Sequence, residues 1–592
     1  MLERIHVRRA WGVSVLTALA AVVVIVALGS AGGGVAGAKT QPLVAASAKL
    51  VPISPIIKPK LASCGAITGL TDLAANPQYP TAIASSTDVA AASGNPEYCD
   101  VKGMIAPQTH FDLKLPVGSW QGRYLQNGCG GYCGTVGNQT FPSCDAQLGG
   151  DFAMATDDEG HVTAAGLGGG GLWAFNDQKL RNEYGYESEQ ALYVVARQII
   201  KDYYGQLPNR SYYNGCSDGG REAMEMAERY PDDFDGIIAG APEIIAGPLN
   251  AEEQTWNIRV NTGSDGNAIL TADKLPALHS AVLKFCAGDD GVPGDGIITD
   301  PQNCDSKIPQ ILASVQCPAG TDSASCLTPA QAGVARLFYQ GPSDPRGRLL
   351  YPGGVPLGSE LGWTVFELPF GGSGSTANSL DYVGLSQPYL RYQLNRPGQL
   401  GPDPFQWKFD DAGFRSMFPA ADTWDAMDTN LRAFRAHGGK LIIWQGWADN
   451  GIPPSGTVDY YDILTARNGG LRSTEQFARM FLFPSVYHCG GGYANATTPD
   501  LIYPMVQWVE QGSAPDQLTI NYAPSGTSAF SRPVYTYPEI PKYNGSGDPN
   551  SASSFHPVAS PGAHYTNWYG NYLFFQPIGG GGHRDHGYVR RR

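Results

Sequence analysis

The chain has 592 residues, 42% of them hydrophobic and only 16% charged, and its formal net charge is −14. This acidic balance argues against nucleic acid or an anionic membrane surface as a partner. A chain of this length can bury a large core but is long for one plain domain, so we expect an insertion or a second domain. Eleven cysteines are many for a cytosolic protein and indicate an oxidising compartment.

Residues 1–38 have the pattern of a signal peptide. A basic start precedes an apolar run, and a small-residue stretch ends in Ala36-Gly37-Ala38, which fits a cleavage site. The alternative is a membrane anchor, because the apolar run is almost long enough to span a bilayer. We predict cleavage and secretion to the extracellular space, a linker or N-terminal arm over residues 39–62, and a disordered tail over residues 579–592.

Between residues 63 and 245, short β-like segments alternate with longer helix-like segments, which predicts the first part of an α/β core with a parallel sheet. Arg123-Tyr124-Leu125 is typical of an early strand, and the glycine-rich stretch Gly128-Cys129-Gly130-Gly131-Tyr132 follows it. Hydrolases with such a sheet place backbone N–H donors of an oxyanion hole in a turn of this kind. The alternative is an ordinary flexible loop.

The stretch Gly215-Cys216-Ser217-Asp218-Gly219 matches the G-x-S-x-G pattern, with a strand-like run before it and a helix-like run after it. This context is typical of a nucleophile elbow, in which the serine has a strained backbone and small neighbours let strand and helix pack closely. Ser217 is therefore the candidate nucleophile, and the N–H of Asp218 is the expected second oxyanion donor. The alternative is a chance match in a glycine-rich chain.

A catalytic serine needs an acid and a base further along the chain, in the order Ser, Asp, His. Asp449 and His488 each follow a buried-type strand. The carboxyl ends of successive strands are where open α/β sheets keep their sites. Asp459 and Asp462, on the next helix-like segment, are alternatives to Asp449.

Two cysteines flank the candidate catalytic residues. Cys216 precedes Ser217, and Cys489 follows His488. If His488 hydrogen-bonds Ser217, the two cysteines come near disulfide distance, and a bridge would tie the base to the backbone of the nucleophile. Two unrelated buried thiols are the alternative.

With its Cys-Ser and His-Cys pairs and an intervening aspartate, the chain resembles the tannase and feruloyl esterase family of α/β-hydrolases. The matching stretches are YNGCSDGGREA from Tyr213, YPDDFDGIIAGAP from Tyr230, GKLIIWQGWAD from Gly439 and HCGGG from His488, and the resemblance covers most of residues 63–500. It implies an α/β-hydrolase fold with a large inserted lid domain and a serine esterase activity. The roles it implies are nucleophile Ser217, acid Asp449, base His488, a Cys216–Cys489 bridge, and oxyanion donors from Asp218 and from Gly130 and Gly131.

In the family a lid is inserted in the core, and we assign residues 246–423 to it, with the core resuming over residues 424–578. Within the lid, residues 286–298 (CAGDDGVPGDGII) resemble the family's calcium loop. The resemblance implies structural Ca²⁺, an ion that suits carboxylate and carbonyl oxygens. The implied ligands are the carboxylates of Asp290 and Asp295 and the carbonyls of Val292 and Ile297, with Asp289 as a substitute for a missing aspartate.

This loop departs from the family pattern in two ways. Ala287 stands where the family has an aspartate, and the spacing before Asp295 is one residue longer. A disulfide-braced acidic turn without metal is therefore the alternative. The further bridges that we expect are Cys286 with Cys304, Cys317 with Cys326 and Cys64 with Cys99, while Cys129, Cys133 and Cys144 leave one thiol over in any pairing.

Aromatic side chains in the lid can stack on a flat acyl ring, although we expect most of them to form the lid core. An arginine can pair with a free carboxylate on a terephthalate-like substrate, but a structural arginine is more common. The candidate substrate contacts are Trp363, Tyr389, Arg391 and Tyr392.

These patterns predict a secreted serine carboxylic-ester hydrolase that cleaves esters of hydroxycinnamic, gallic or terephthalic-type acids. The substrate is expected to be a small aromatic ester or an ester linked to a plant polyphenol or polysaccharide. No organic cofactor is implied, and neither nucleic acid nor a membrane is expected as a partner after signal cleavage. The alternative is a catalytically inactive secreted binding protein on the same scaffold.

Overall fold

The computed structural model describes residues 50–92, 95–136, 150–163, 170–372, 374–526, 528–561 and 566–575. The predicted signal peptide, residues 39–49 of the predicted linker, the predicted tail and Cys144 lie outside these ranges. Within them, no helix is both long enough and apolar enough to cross a membrane.

In the described part of the chain, nine strands form one mixed sheet. They are β1 (Thr81–Val89), β2 (Tyr98–Ile105), β3 (Thr109–Pro116), β4 (Arg123–Asn127), β5 (Phe152–Asp157), β6 (Arg210–Cys216), β7 (Gly236–Gly240), β8 (Lys440–Gly446) and β9 (Ala478–Phe483). Their order in the sheet is β1-β2-β3-β5-β4-β6-β7-β8-β9. The pairs from β1 to β5 through β3 are antiparallel, and every pair from β5 to β9 is parallel.

The parallel strands are buried on both faces because their apolar residues point alternately to the two sides of the sheet. Tyr213, Ile237 and Leu441 belong to the hydrophobic core on one side. Their chain neighbours, such as Tyr212 and Ile238, belong to the core on the other side. The predicted parallel α/β sheet is thus present, and the carboxyl ends of β6, β7, β8 and β9 meet at one edge.

Helices cover both faces of this sheet and fill the connection between β7 and β8. Short 3₁₀ and π turns add to them, and the longest in the described part of the chain is Pro301–Lys307. The α-helices are α1 (Gln178–Asn182), α2 (Ser188–Tyr204), α3 (Asp218–Arg229), α4 (Ala246–Pro248), α5 (Thr255–Val260), α6 (Leu275–Cys286), α7 (Ile308–Ser314), α8 (Pro329–Gln340), α9 (Asp411–Ser416), α10 (Phe418–Trp424), α11 (Arg432–His437), α12 (Ser455–Arg467), α13 (Leu471–Thr474) and α14 (Ile502–Gln511).

The long connection between β7 and β8 has a hydrophobic core of its own, formed by residues between Leu270 and Leu368. Although the chain leaves the sheet after Gly240, β8 returns directly beside β7 in parallel register. The inserted segment therefore begins at the carboxyl end of β7 and does not interrupt the order of the strands.

After β9 the chain forms two small antiparallel ribbons. The first pairs β10 (Gln517–Tyr522) with β11 (Phe530–Tyr535), and the second pairs β12 (Glu539–Tyr543) with β13 (Phe555–Ala559). The N–H of Tyr543 donates to the C=O of Asp290 at 2.8 Å. These ribbons therefore fasten the C-terminal part of the chain to the inserted segment.

Candidate active site

Ser217 occupies the turn between β6 and α3 with φ 68° and ψ −123°, a backbone conformation that is strained for a serine. Glycines make the turn possible. A Cβ at Gly215 would collide with the backbone of Gly219, and one at Gly220 would collide with the C=O of Gly240. The tight packing of strand and helix thus places Ser217 on a sharp turn at the carboxyl edge of the sheet, as the motif predicted.

The structure brings Ser217, His488 and Asp449 together. His488 Nε2 lies 2.8 Å from Ser217 Oγ, and His488 Nδ1 lies 2.9 and 3.1 Å from the two carboxylate oxygens of Asp449. The serine comes from the end of β6, the aspartate follows β8 and the histidine follows β9. Three separate strand ends therefore supply one continuous chain of hydrogen bonds.

Asp449 is fully buried, and neutral donors satisfy its carboxylate. The N–H groups of Gly451 and Ile452 both donate to Oδ1 at 2.9 Å, and Gln445 Nε2 donates to Oδ2 at 2.7 Å. These bonds orient the carboxylate toward the imidazole and lower the cost of burying its charge.

The two alternative acids point elsewhere. Asp459 accepts a hydrogen bond from the N–H of Thr566 at 2.8 Å, and Asp462 Oδ2 accepts one from the Tyr537 hydroxyl at 3.4 Å. Both lie on α12, the helix that follows Asp449. Of the three aspartates, Asp449 is the one that contacts His488.

Disulfides brace the site. Cys216 is bonded to Cys489, so the residue before the nucleophile is joined to the residue after the histidine. A second bridge, Cys129–Cys133, closes the glycine-rich turn after β4; the sequence left this pairing open. The other predicted bridges are also present: Cys64–Cys99, Cys286–Cys304 and Cys317–Cys326.

The glycine-rich turn lies against the first turn of α3. The N–H of Gly219 donates to the C=O of Cys129 at 2.8 Å, and the N–H of Cys133 donates to the C=O of Gly130 at 3.2 Å. Within the described residues, the N–H groups of Gly130 and Gly131 make no hydrogen bond, and Asp218, as the first helical residue, has no N–H partner in its own helix. None of these three N–H groups has a hydrogen-bond acceptor among the described residues.

The side chain of Asp218 belongs to a buried polar network. It is fully buried and accepts from Arg221 Nε at 2.6 Å and from the Tyr184 hydroxyl at 3.1 Å. Arg221 in turn contacts Glu159, and burial raises the pKa of the Glu159 carboxyl well above its ordinary value. Sequence reasoning missed this network because its members come from separate loops and helices.

The inserted segment packs directly on His488 and on Asn450, the neighbour of Asp449. The ring of Phe366 meets the His488 imidazole edge to face, with ring centroids 5.4 Å apart. Asn450, next to Asp449, donates to the C=O of Gly362 at 3.0 Å and to Glu367 Oε2 at 3.1 Å. Phe366 is thus an aromatic residue of the insertion that contacts His488, and no local sequence signal predicted this contact.

The four predicted substrate contacts lie in different surroundings in the structure. Trp363 is fully buried in the core of the insertion and donates to Ser359 Oγ at 2.8 Å, so it packs as lid core here, and its role toward substrate stays a prediction. Arg391 donates to the C=O of Gly401 at 3.0 Å, a contact within its own segment. Tyr389 is buried and Tyr392 packs on Phe175, so their roles toward substrate stay predictions.

Glu243 contacts the backbone of Ser217 and was not singled out from the sequence. Its N–H donates to the C=O of Ser217 at 3.3 Å, and its Oε1 accepts from Asn250 Nδ2 at 2.6 Å. Burial, together with the nearby charge of Asp218, raises the pKa of the Glu243 carboxyl to about 8. The group is therefore largely protonated at neutral pH, unlike an ordinary glutamate.

The residues of the implied calcium loop do not fit a calcium ion as they are arranged. Asp290 and Asp295 both pair with the guanidinium of Arg532. Asp289 instead accepts from the backbone N–H groups of Thr299 and Asp300. The C=O of Ile297 accepts a hydrogen bond from the N–H of Gly288. The C=O of Val292 accepts none from the described residues. Each carboxylate oxygen of Asp289, Asp290 and Asp295 therefore already has a hydrogen-bond donor.

The comparisons with known proteins agree with this geometry. The family model described as tannase and feruloyl esterase matches residues 92–558. The mono(2-hydroxyethyl) terephthalate hydrolase of Piscinibacter sakaiensis is 30% identical, over 80% of this chain and 86% of its own length. A probable feruloyl esterase of Arthroderma benhamiae is also 30% identical, over 76% of this chain and 83% of its own.

Among solved structures, feruloyl esterase B from Aspergillus oryzae superposes with a TM-score of 0.68 at 24% identity, covering 84% of this chain and 100% of that one. The fold is the predicted α/β-hydrolase fold, and the protein is a carboxylic ester hydrolase. The chain belongs to the tannase and feruloyl esterase family, so the predicted family and enzyme class are confirmed.

Proposed function

We propose that the protein is a secreted serine esterase that hydrolyses esters of aromatic acids through an acyl-enzyme. The observation that carries this proposal is the unbroken chain of hydrogen bonds from Ser217 through His488 to Asp449. A serine on a strained turn, a histidine in contact with its hydroxyl and a buried carboxylate behind the histidine are the parts that nucleophilic acyl transfer requires.

In the first half-reaction, Ser217 Oγ attacks the ester carbonyl while His488 Nε2 takes the hydroxyl proton. Asp449 holds the ring with Nδ1–H toward itself and stabilises the imidazolium that forms. The C–O bond to the alcohol then breaks, and the imidazolium gives its proton to the leaving alkoxide. In the second half-reaction a water molecule attacks the acyl-enzyme with His488 again as base, which releases the acid and restores Ser217.

The negative charge on the tetrahedral intermediate needs donors that are already oriented. The N–H groups of Asp218, Gly130 and Gly131 fill this role in the proposal. Two observations support it: the turn is tied to α3 through Gly219 and Cys129, and the Cys129–Cys133 bridge closes it. Preorganised backbone donors of this kind contribute about 10²–10³ in rate each.

The substrate class rests on the relatives. The names of two similar proteins specify a terephthalate half-ester and a feruloyl ester, and both substrates carry an aromatic acyl group. Phe366 beside His488 supplies an aromatic face in reach of such a ring. Secretion is supported by the signal-like residues 1–38 and by the disulfides, which persist in oxidising compartments.

The test is hydrolysis of methyl ferulate, methyl gallate and mono(2-hydroxyethyl) terephthalate by the wild type and by Ser217→Ala. We expect at least one ester to be cleaved by the wild type and kcat to fall by at least about 10⁴-fold in the variant. A fluorophosphonate probe should label the wild type and leave Ser217→Ala unlabelled.

Ser211→Ala is the matched control, because Ser211 lies on β6, the strand that precedes Ser217. Its Oγ accepts a hydrogen bond from Arg197 at 3.0 Å and does not contact His488. This variant should keep both activity and labelling. Labelling of the wild type without cleavage of any of the three esters would contradict the substrate class alone. Absence of both would contradict the esterase mechanism and favour a binding protein on this scaffold.

A further inference from the structure

The acidic loop (residues 286–298) is completed by a side chain from a distant part of the chain. Arg532, on β11, is fully buried, and its Nε donates to Asp290 Oδ2 at 3.0 Å while its Nη2 donates to Asp295 Oδ2 at 2.5 Å. These carboxylates are the two that the family resemblance assigns to calcium. A single guanidinium therefore bridges both of them.

The rest of the guanidinium is also enclosed by protein. Its Nη1 donates to the C=O of Ser531 at 3.0 Å and to the C=O of Pro549 at 2.9 Å. The rings of Phe530 and Phe555 lie 4.7 and 4.6 Å from its central carbon. A cation with this set of carbonyl, carboxylate and aromatic neighbours needs no water to stabilise its charge.

The oxygens that calcium would use are engaged. The second oxygen of Asp290 accepts from the N–H of Val292 at 2.8 Å, and that of Asp295 accepts from the N–H of Ile297 at 3.0 Å. Calcium binds about six to eight oxygens at short range. It would therefore have to displace both the guanidinium and these backbone donors.

The nearby positive charges also disfavour calcium. Besides the Arg532 pairs, Lys542 Nζ donates to the C=O of Asp289 at 2.9 Å, which places a second cation at the loop. A divalent ion placed among these groups would be repelled by a guanidinium in direct contact with its two main ligands. The sequence departures agree, since Ala287 lacks the family's first carboxylate and the loop is one residue longer before Asp295.

We propose that the guanidinium of Arg532 takes the place of the calcium ion in this chain, so that the acidic loop is held without a divalent metal. The bridge joins residues 242 and 237 positions apart in the chain. It therefore fastens the inserted segment to the ribbon β10–β11. This proposal is independent of the proposed catalytic function and concerns how the fold is held.

The first test is made on the full wild-type chain, purified without added calcium. Metal analysis by mass spectrometry should find no stoichiometric calcium. The Tm should be the same in excess EDTA and in millimolar CaCl₂, because a ligand that does not bind the native state cannot stabilise it. One calcium per chain after gel filtration, or a Tm that falls in EDTA, would overturn the proposal.

The second test removes the internal cation. In Arg532→Gln two buried carboxylates lose their partner, so we expect a Tm lower by about 3–5 °C. Added CaCl₂ should raise the Tm of this variant. The rise should be larger in the double variant Arg532→Gln, Ala287→Asp, because Ala287→Asp restores the missing carboxylate. Radioactive calcium retained on the double variant but not on the wild type is the direct readout.

Arg415→Gln is the matched control, because Arg415 pairs with Asp411 at 2.9 Å on the surface of the insertion. Its Tm should change little and should not respond to calcium. An unchanged Tm in Arg532→Gln, with or without calcium, would contradict the proposal. If Arg532→Gln does not fold, the calcium content of the wild type and the change of its Tm in EDTA still test the proposal.

Discussion

The candidate catalytic centre (Ser217, His488 and Asp449) and the acidic loop each bury an aspartate carboxylate, but they stabilise it in opposite ways. Asp449 receives three neutral N–H donors and the imidazole of His488, and among the described residues no lysine or arginine pairs with it. Asp290 is equally buried, and its main partner is the full positive charge of Arg532. The two sites therefore hold similar groups in different electrostatic states.

This difference has a physical reason. A guanidinium that pairs with a carboxylate largely offsets its negative charge and fixes its position, which suits a structural role. A carboxylate held by dipoles keeps a net negative charge, and that charge can orient a neighbouring imidazole and stabilise its protonated form. Buried aspartates alone do not mark a functional site; the nature of their donors does.

The largest effect should follow from removing the charge at the catalytic centre. Asp449→Asn keeps the shape of the side chain but removes the negative charge that selects the histidine tautomer, so we expect kcat to fall by about 10³–10⁴-fold. Tm should change far less, which is the reverse of the pattern expected for Arg532→Gln. Steady-state kinetics and thermal unfolding of the same preparations measure both.

Asp462→Asn is the control for this change, since Asp462 lies on the following helix and contacts Tyr537 rather than His488. It should retain its kcat within a few-fold of the wild type. An Asp449→Asn enzyme with nearly full kcat would show that the hydrogen bond to His488 carries no catalytic charge effect.

A smaller effect should follow from loosening the neutral donors of the oxyanion turn. Replacing Cys129 and Cys133 together by serine opens the turn that carries the Gly130 and Gly131 N–H groups. We expect kcat to fall by about 10-fold with KM nearly unchanged, because the donors act on the transition state rather than on the bound ester.

The control for the oxyanion turn is the pair Cys317→Ser and Cys326→Ser, which opens a bridge of similar short span in the inserted segment. That variant should lose some Tm and keep its kcat. If both double variants lower kcat equally, the effect of the Cys129–Cys133 bridge is one of general stability and the positioning role is wrong.

The smallest effect concerns Glu243, which represents a third way of burying a carboxyl group, in protonated form. Its pKa is raised to about 8 in the folded chain from an ordinary value of 4.5. Between these two values the unfolded chain releases a proton that the folded chain keeps, so stability is lost as the pH rises. Glu243→Gln cannot ionise, and its Tm should exceed that of the wild type by roughly 2–4 °C at pH 8 but not at pH 4.5.

The control is Glu539→Gln, because Glu539 is exposed at the start of β12. Its Tm difference from the wild type should not vary with pH. A Glu243→Gln difference that is equally flat would mean that the Glu243 carboxyl titrates normally in the folded chain. Thermal unfolding between pH 4.5 and pH 8 in one buffer series provides the comparison.

Local patterns were sufficient for the elbow and the strands. A serine between glycines, after a strand and before a helix, can adopt few backbone conformations, so Ser217 and its turn followed from adjacent residues. The same holds for β8 and β9, whose apolar runs end at Asp449 and before His488. Cysteines adjacent to both Ser217 and His488 added a long-range constraint, and the Cys216–Cys489 bridge agrees with it.

The sequence by itself therefore determined the class of sheet, the nucleophile turn and the order of the three candidate catalytic residues, because each depends on neighbours in the chain. Only the tertiary structure decided that Phe366 meets His488, that Trp363 is lid core and that Arg532 neutralises Asp290 and Asp295. Each of these contacts joins residues more than 50 positions apart or depends on how a whole segment packs. No local pattern encodes which distant side chain will satisfy a buried charge, since that choice is made by the free energy of the assembled interior.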